Sequence, residues 1–325
     1  MAPPPPPPTA TKYFWGDSPE PDEYYASLGL RHAEAYFQSP CGRLFTHSFH
    51  PLSAASDGDV KGVVFMSHGY GSDSSWMFQN IAISYARWGY AVFCADLLGH
   101  GRSDGVRGYL GDTEAVARAA LSFFLSVRRS GAYASLPAFL FGESMGGATT
   151  LLAYLRSPPD AGWAGIILSA PLLVFPDDMY PSRVRLFLMV GRSIRDPAKL
   201  RVIASNPRLY RGSPRVGTMR ELARVTALLR ESFGEVAAPF LVVHGTDDGV
   251  TSPEGSRMLY ERAASEDKSL ILYDGMYHSL IQGESDENRD RVLADMRAWI
   301  DERVRRYGAG AGAAAADGHA EAPAA

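Results

Sequence analysis

Cysteine is nearly absent: Cys41 and Cys94 are the only two in 325 residues. Two thiols can build neither a disulfide framework nor, by themselves, a four-ligand zinc site, and their scarcity suits a reducing compartment. Positive charge is not in excess either, since 32 basic residues against 36 acidic ones leave a formal net charge of -4. Nucleic acid as a partner is thereby disfavoured. No uninterrupted apolar run approaches the roughly 18 to 20 residues that a membrane helix needs. The nearest, Trp163 to Phe175, is broken by Ser169 and Pro171. A soluble, cytoplasmic protein without a transmembrane segment is expected, and peripheral membrane contact stays open. Internal repeats, lipidation motifs and retention signals are missing as well.

What is present is globular material, 46% hydrophobic and 21% charged, enough to bury a sizeable core. The ends differ. Pro3 to Pro8 is an unbroken proline run that favours polyproline II, and from Gly308 onward the chain is almost all Gly and Ala. Residues 1–13 and 308–325 are therefore read as disordered tails. Between them, short β-branched or aromatic runs alternate with helix-period segments. Strands are predicted at 35–38, 44–49, 62–67, 91–95, 138–141, 165–169, 240–244 and 269–273, and helices at 75–88, 113–129, 145–156, 253–264 and 288–307. This alternation predicts an α/β fold with a mostly parallel central sheet flanked by helices, its core formed by residues 14–171 and 237–307. Residues 172–236 break the alternation with five prolines and many arginines. They are read as a helical cap inserted after the sixth strand, with helices at 196–204 and 219–232.

The strongest motif is Gly142-Glu143-Ser144-Met145-Gly146, a G-x-S-x-G between an apolar strand and a helix. Gly142 and Gly146 leave room for a sharp strand-to-helix turn that exposes Ser144 at its apex. A serine hydroxyl needs a base, and the hydrolase order on such a sheet is Ser, then acid, then His. Of the eight histidines, only His278 and His319 follow any acid placed after the later strands, and His319 lies in the Ala-rich tail. His278 is the expected base. The acid belongs after strand 240–244, where Asp247 and Asp248 compete; Asp248 is preferred, with Asp177 or Asp178 as a distant alternative. An oxyanion hole would take the NH of Met145 and that of Tyr70, in a His68-Gly69-Tyr70-Gly71-Ser72 loop whose Gly69 and Gly71 free the backbone. His68 and Asp73 also fit an H-x-x-x-x-D acyltransferase pattern, but the oxyanion loop already accounts for His68. Asp96, His100 and Asp104 are read as loop-structuring. The histidines are scattered, no metal site is expected, and the chemistry needs no cofactor.

With these residues in place, His68–Ser72, Asp96–Asp104, Gly142–Gly147 and Gly275–Glu284 resemble the plant caffeoyl shikimate esterase and monoacylglycerol lipase-like family of α/β hydrolases. The resemblance runs from about Phe14 to Gly308 and includes Tyr24-Tyr25, Ile203–Pro207 and Gly217–Leu222. It maps the family's nucleophile, acid and base onto Ser144, Asp248 and His278. It implies a serine carboxylic ester hydrolase acting through an acyl-enzyme on a small-molecule ester, in the cytosol or peripheral to endomembranes. Caffeoyl shikimate, cleaved to caffeate and shikimate in lignin and phenylpropanoid metabolism, is the leading substrate, and monoacylglycerol and lysophospholipid are alternatives. A non-catalytic binding protein on the same fold and an acyltransferase are the competing classes. The chain departs from the family at Leu188-Met189-Val190, where an apolar stretch on the order of 20 residues, about one helix, is missing and the cap is expected to be shortened. Oligomeric state has no sequence signature here.

Overall fold

The computed structural model describes residues 21–174 and 193–307. Eight strands form one sheet: β1 (Leu30–Ser39), β2 (Gly42–Pro51), β3 (Val63–Ser67), β4 (Ala91–Ala95), β5 (Ala138–Glu143), β6 (Trp163–Ser169), β7 (Phe240–Gly245) and β8 (Lys268–Tyr273). Their spatial order is β1-β2-β4-β3-β5-β6-β7-β8. The β1–β2 and β2–β4 pairs are antiparallel and all others parallel. β3, β4, β5 and β7 are buried along their whole length, which is why they read as continuous apolar runs.

The helices are α1 (Pro21–Ser27), α2 (Gln79–Arg87), α3 (Thr113–Arg128), α4 (Met145–Leu155), α5 (Pro197–Ala204), α6 (Val216–Glu231), α7 (Pro253–Arg262) and α8 (Asp286–Tyr307). They cover both faces. Val116, Ala120 and Phe124 of α3 and Leu151 and Leu152 of α4 share one core with Phe65 and Leu140 of the sheet. On the other face Ile81 and Tyr85 of α2 and Met296 and Ile300 of α8 meet Val64, Phe139 and Leu241.

Two boundaries differ from the pattern-based reading, each for a local reason. β1 begins at Leu30, five residues before the predicted start, because Arg31, His32 and Glu34 interrupt its first half with polar side chains and an apolar count sees only the second. α2 begins four residues late: Ser75 N and Oγ bond the Asp73 carboxylate, and Trp76 takes φ 49°, a turn that competes with helix. α5 opens as expected from Asp196, whose carboxylate accepts from Ala198 N ahead of a proline at the first position. α1 escaped the pattern altogether. The shortened junction Leu188-Met189-Val190 and the alternative acids Asp177 and Asp178 lie outside the described residues.

Between β6 and β7, α6 packs Leu222, Val225 and Leu229 into the same core as α3 and α4. This half of the insertion is thus part of the hydrophobic core, because α6 is amphipathic and α4 offers it an apolar face.

The strand order reverses at β3, which lies between β4 and β5. Ligand sites in open α/β sheets form where the order reverses, outside the carboxyl ends of the strands. The register brings those ends level, pairing Ser67 with Gly142, Glu143 with Ser169, Ser169 with Val243, and Gly245 with Tyr273. The loops that follow are therefore neighbours.

Candidate active site

The turn after β5 places Ser144 at φ 57° and ψ −122°, a strained conformation for a residue with a β-carbon. It is held by Ser144 N donating to Ser169 O at 3.0 Å and by Leu172 N donating to Ser144 O at 2.9 Å. The flanking glycines are obligatory. A β-carbon on Gly142 would lie 2.4 Å from Gly146 O, and one on Gly146 would lie 2.2 Å from Ser67 O.

His278 follows β8 in a loop and points Nε2 at Ser144 Oγ, 2.9 Å away. Its Nδ1 lies 2.7 Å from Asp248 Oδ2. For Nε2 to accept from the serine hydroxyl, Nδ1 must carry the ring proton and donate it to Asp248. Burial pushes the His278 pKa down, but the Asp248 charge and hydrogen bond outweigh it, with a smaller push from Glu143, and the net direction is up from 6.5. Asp248 itself is fully enclosed. Oδ1 accepts from Val250 N at 2.7 Å and Thr251 N at 2.9 Å. Oδ2 lies 2.8 Å from Thr251 Oγ1 and 3.0 Å from His244 Nε2. Burial raises this carboxyl, yet the His278 charge and the donors from His244 and His278 hold it well below the usual carboxylate range. Asp247 is exposed, its Oδ1 3.4 Å from Thr246 Oγ1, and does not approach the ring.

The His68–Ser72 loop lies against Ser144, for a β-carbon on Gly69 would come 3.3 Å from Ser144 Cβ. Met145 opens α4, so its NH belongs to the first turn and has no intrahelical acceptor. The Tyr70 hydroxyl donates to Gly108 O at 2.7 Å, and burial pushes its pKa up to about 12. Gly71 takes φ 75° and its carbonyl accepts from Tyr210 N at 2.8 Å, so the insertion is tied to this loop. Asn206 adds a buried bond from Nδ2 to Asp73 Oδ2 at 2.8 Å.

The histidine of the H-x-x-x-x-D pattern has no free nitrogen. Leu97 N donates to His68 Nε2 at 3.0 Å, so Nδ1 carries the proton and donates to Gly69 O at 2.8 Å. A ring with both nitrogens engaged cannot serve as a base toward an acceptor alcohol. Asp96 accepts from Ser74 N at 2.7 Å and Arg102 N at 2.8 Å, and Asp104 accepts from Arg43 N at 2.9 Å; both organise loops.

Sequence reasoning missed His244, Thr251 and Gln282. His244 was set aside because it precedes the acid, yet as Asp248's i−4 neighbour it reaches the carboxylate, and its Nδ1 lies 2.7 Å from Ser256 Oγ. Scattered as the histidines are in sequence, β1–β2 pairing gathers His32, Glu34 and His47 so that one ligand atom from each lies within 4.8 Å of the others. The cluster fits a metal poorly: Arg102 already holds both Glu34 oxygens at 2.7 and 3.3 Å, and His47 Nε2 is buried without the partner that orients a metal-binding ring. Cavities of about 730 and 720 Å³ lie away from Ser144, one along Pro137, Trp163 and Pro239, the other between α1, α2 and α8.

Residues 58–286 match the Hydrolase_4 family, described as serine aminopeptidase, S33. The chain is 57% identical over 313 residues to caffeoylshikimate esterase of Arabidopsis thaliana, covering 91% of this chain and 92% of that protein. It is 29% identical over 264 residues to monoacylglycerol lipase of Mycolicibacterium smegmatis, covering 75% and 89%. Among solved structures, a soluble variant of Saccharomyces cerevisiae monoglyceride lipase in complex with a substrate analog superposes with a TM-score of 0.71 at 23% identity, covering 83% of this chain and 94% of that one.

Proposed function

The chain belongs to the Hydrolase_4 family of serine hydrolases, and from that premise we propose that Ser144, His278 and Asp248 hydrolyse a carboxylic ester through an acyl-enzyme. The observation that carries this reading is the unbroken chain from Ser144 Oγ to His278 Nε2 at 2.9 Å and from His278 Nδ1 to Asp248 Oδ2 at 2.7 Å. In it, Oγ attacks the ester carbonyl carbon while its proton passes to Nε2. The imidazolium that forms is stabilised by Asp248, which stays ionised. The NH groups of Met145 and Tyr70 receive the oxyanion, where preorganised donors are worth about 3 to 4 kcal/mol each. Collapse of the tetrahedral intermediate breaks the ester C–O bond, and Nε2 returns its proton to the departing alcohol. Water then gives a proton to Nε2, attacks the acyl-enzyme, and releases the acid and Ser144.

Caffeoyl shikimate is the proposed substrate, supported by 57% identity across nine-tenths of both chains, against 29% for the bacterial lipase. Monoacylglycerol is the second reading, favoured by the lipase relatives and by the likeness to the yeast structure. A cap role for residues 172–236 belongs to the same proposal, supported by the bonds from Asn206 and Tyr210 to the oxyanion loop. No helix among the described residues is long and apolar enough to cross a membrane, and a cytoplasmic address is proposed. Purified protein offered caffeoyl shikimate and a monoacylglycerol in competition tests the assignment. Preferential release of caffeate, lost in Ser144→Ala, supports it; preferential release of fatty acid moves it to the lipase reading; release of neither, with no labelling by a fluorophosphonate, overturns both.

A further inference from the structure

The residue before Ser144 is a second buried carboxylate that the triad does not use. Glu143 ends β5 and is 7% exposed. Its Oε2 accepts from Gln282 Nε2 at 2.7 Å, and Gln282 lies four residues after His278 in the same loop. Its Oε1 is buried with no hydrogen-bond partner. A carboxyl in such surroundings is costly to ionise unless an opposite charge faces it. Burial raises its pKa to about 7, and the His278 imidazolium and the Gln282 amide pull the other way.

We propose that Glu143 is a positioning residue for the base: through Gln282 it ties the His278 loop to the nucleophile elbow, and its carboxylate is a second negative charge facing the imidazolium of His278. This rests on His278 being the base. The bond joins residues 139 apart and spans the two turns whose relative position sets the Ser144 Oγ to His278 Nε2 distance. The groups that face His278 are Asp248 from the turn after β7 and Glu143 from the end of β5. His244 from β7 acts on it through Asp248. In the His278 loop itself, Glu284 is paired with Arg195 at 3.1 Å. Asp248 holds the ring whether or not it is charged. Glu143 has no direct bond to the ring, so its contribution follows the ring's charge: it is strongest when Nε2 has taken the serine proton and absent when the ring is neutral and Glu143 holds a proton.

The test is the acid limb of kcat/KM against pH, measured on the full chain with an ester that the wild-type protein hydrolyses. Glu143→Gln keeps an amide for Gln282 and removes the charge. The limb is expected to move to lower pH by on the order of half to one unit, less than a directly contacting charge produces. Gln282→Leu reaches the same end by another route, since a carboxylate stripped of its donor in an apolar setting takes up a proton, and its limb is expected to move the same way. Glu143→Asp retains a charge but falls short of Gln282; its plateau kcat drops several-fold while its limb stays nearer the wild-type position. An unmoved limb in either folded variant, Glu143→Gln or Gln282→Leu, overturns the inference even where the wild-type esterase is fully active. Absence of any histidine-type limb in the wild type would instead remove the reading on which it stands.

Discussion

The acid turn at residues 245–251 and the elbow at residues 142–146 each bring a buried carboxylate to one imidazole, and they meet the cost of burial in opposite ways. Asp248 is surrounded by two backbone NH groups, a hydroxyl and two ring nitrogens, and its pKa is driven down. Glu143 has one amide donor and an orphan oxygen, and its pKa is driven up to about 7. Depth of burial does not separate the two, since both are enclosed. The number of donors aimed at each does, because a desolvated carboxylate is stabilised only by what replaces its water. One turn thus supplies a permanent charge and the other a conditional one.

The largest expected effect removes the hydroxyl that this imidazole faces. Ser144→Ala should fold, since the elbow depends on Gly142 and Gly146, and should lose on the order of 10⁶-fold in kcat. Substantial turnover by the folded variant would reject Ser144 as nucleophile. Next comes the acid turn itself. Asp248→Asn should cost about 10⁴-fold in turnover through the wrong imidazole tautomer, whereas Asp247→Asn should stay close to wild type because that side chain is exposed. Equal losses would dissolve the distinction between the neighbours.

A smaller effect probes how Asp248 is satisfied. Thr251→Val removes the hydroxyl 2.8 Å from Oδ2 and should cost about 1.5 to 3 kcal/mol of stability, the range for a bond to a charged group, read as a shift in the denaturant midpoint. The pH dependence of activity follows from His278. Its pKa is raised above 6.5, so the base is lost on acidification and the half-activity point of kcat/KM should fall above pH 6.5. A limb well below that value would contradict the ion pair with Asp248.

The smallest effect sharpens the comparison through stability. Asp248 has a depressed folded pKa, so its contribution is present above pH 3.8 and disappears as pH falls through the folded value. Glu143 has a raised one. The folded protein holds that proton after the unfolded chain has released it near pH 4.5, and stability is lost as pH rises from there through about 7. Glu143→Gln cannot titrate, so its Tm relative to wild type should be more favourable at pH 8 than at pH 5. A difference that is independent of pH would mean that Glu143 ionises as an ordinary surface carboxylate does.

Much of this was legible from the chain. Strands β3 to β7 announce themselves as short apolar runs because both faces of the parallel part of the sheet are buried, and the predicted strand at 91–95 has the observed bounds. Ser144 and His278 could be named from motif and order, and Asp248 from order and the family's turn. The first helix, the late start of α2 and the incorporation of α6 into the core were not legible. Each depends on a partner distant in sequence or on a side chain that bonds the backbone in place of a helix.

By itself the sequence determined the conformations that neighbouring residues impose on one another: apolar runs that become strands, Gly142 and Gly146 that permit the elbow, Asp196-Pro197 that opens α5. It also determined the order in which Ser144, Asp248 and His278 follow their strands. Tertiary structure alone decided what each polar atom meets. His278 and Ser144 are 134 residues apart, Glu143 and Gln282 are 139, and His68 is fixed as a non-base by Leu97, 29 residues on. Backbone propensity is set within a few residues, whereas hydrogen-bond partners and the loss of water around a charge are set by whatever the fold brings alongside. The same carboxyl group can therefore be a permanent anion at Asp248 and a conditional one at Glu143.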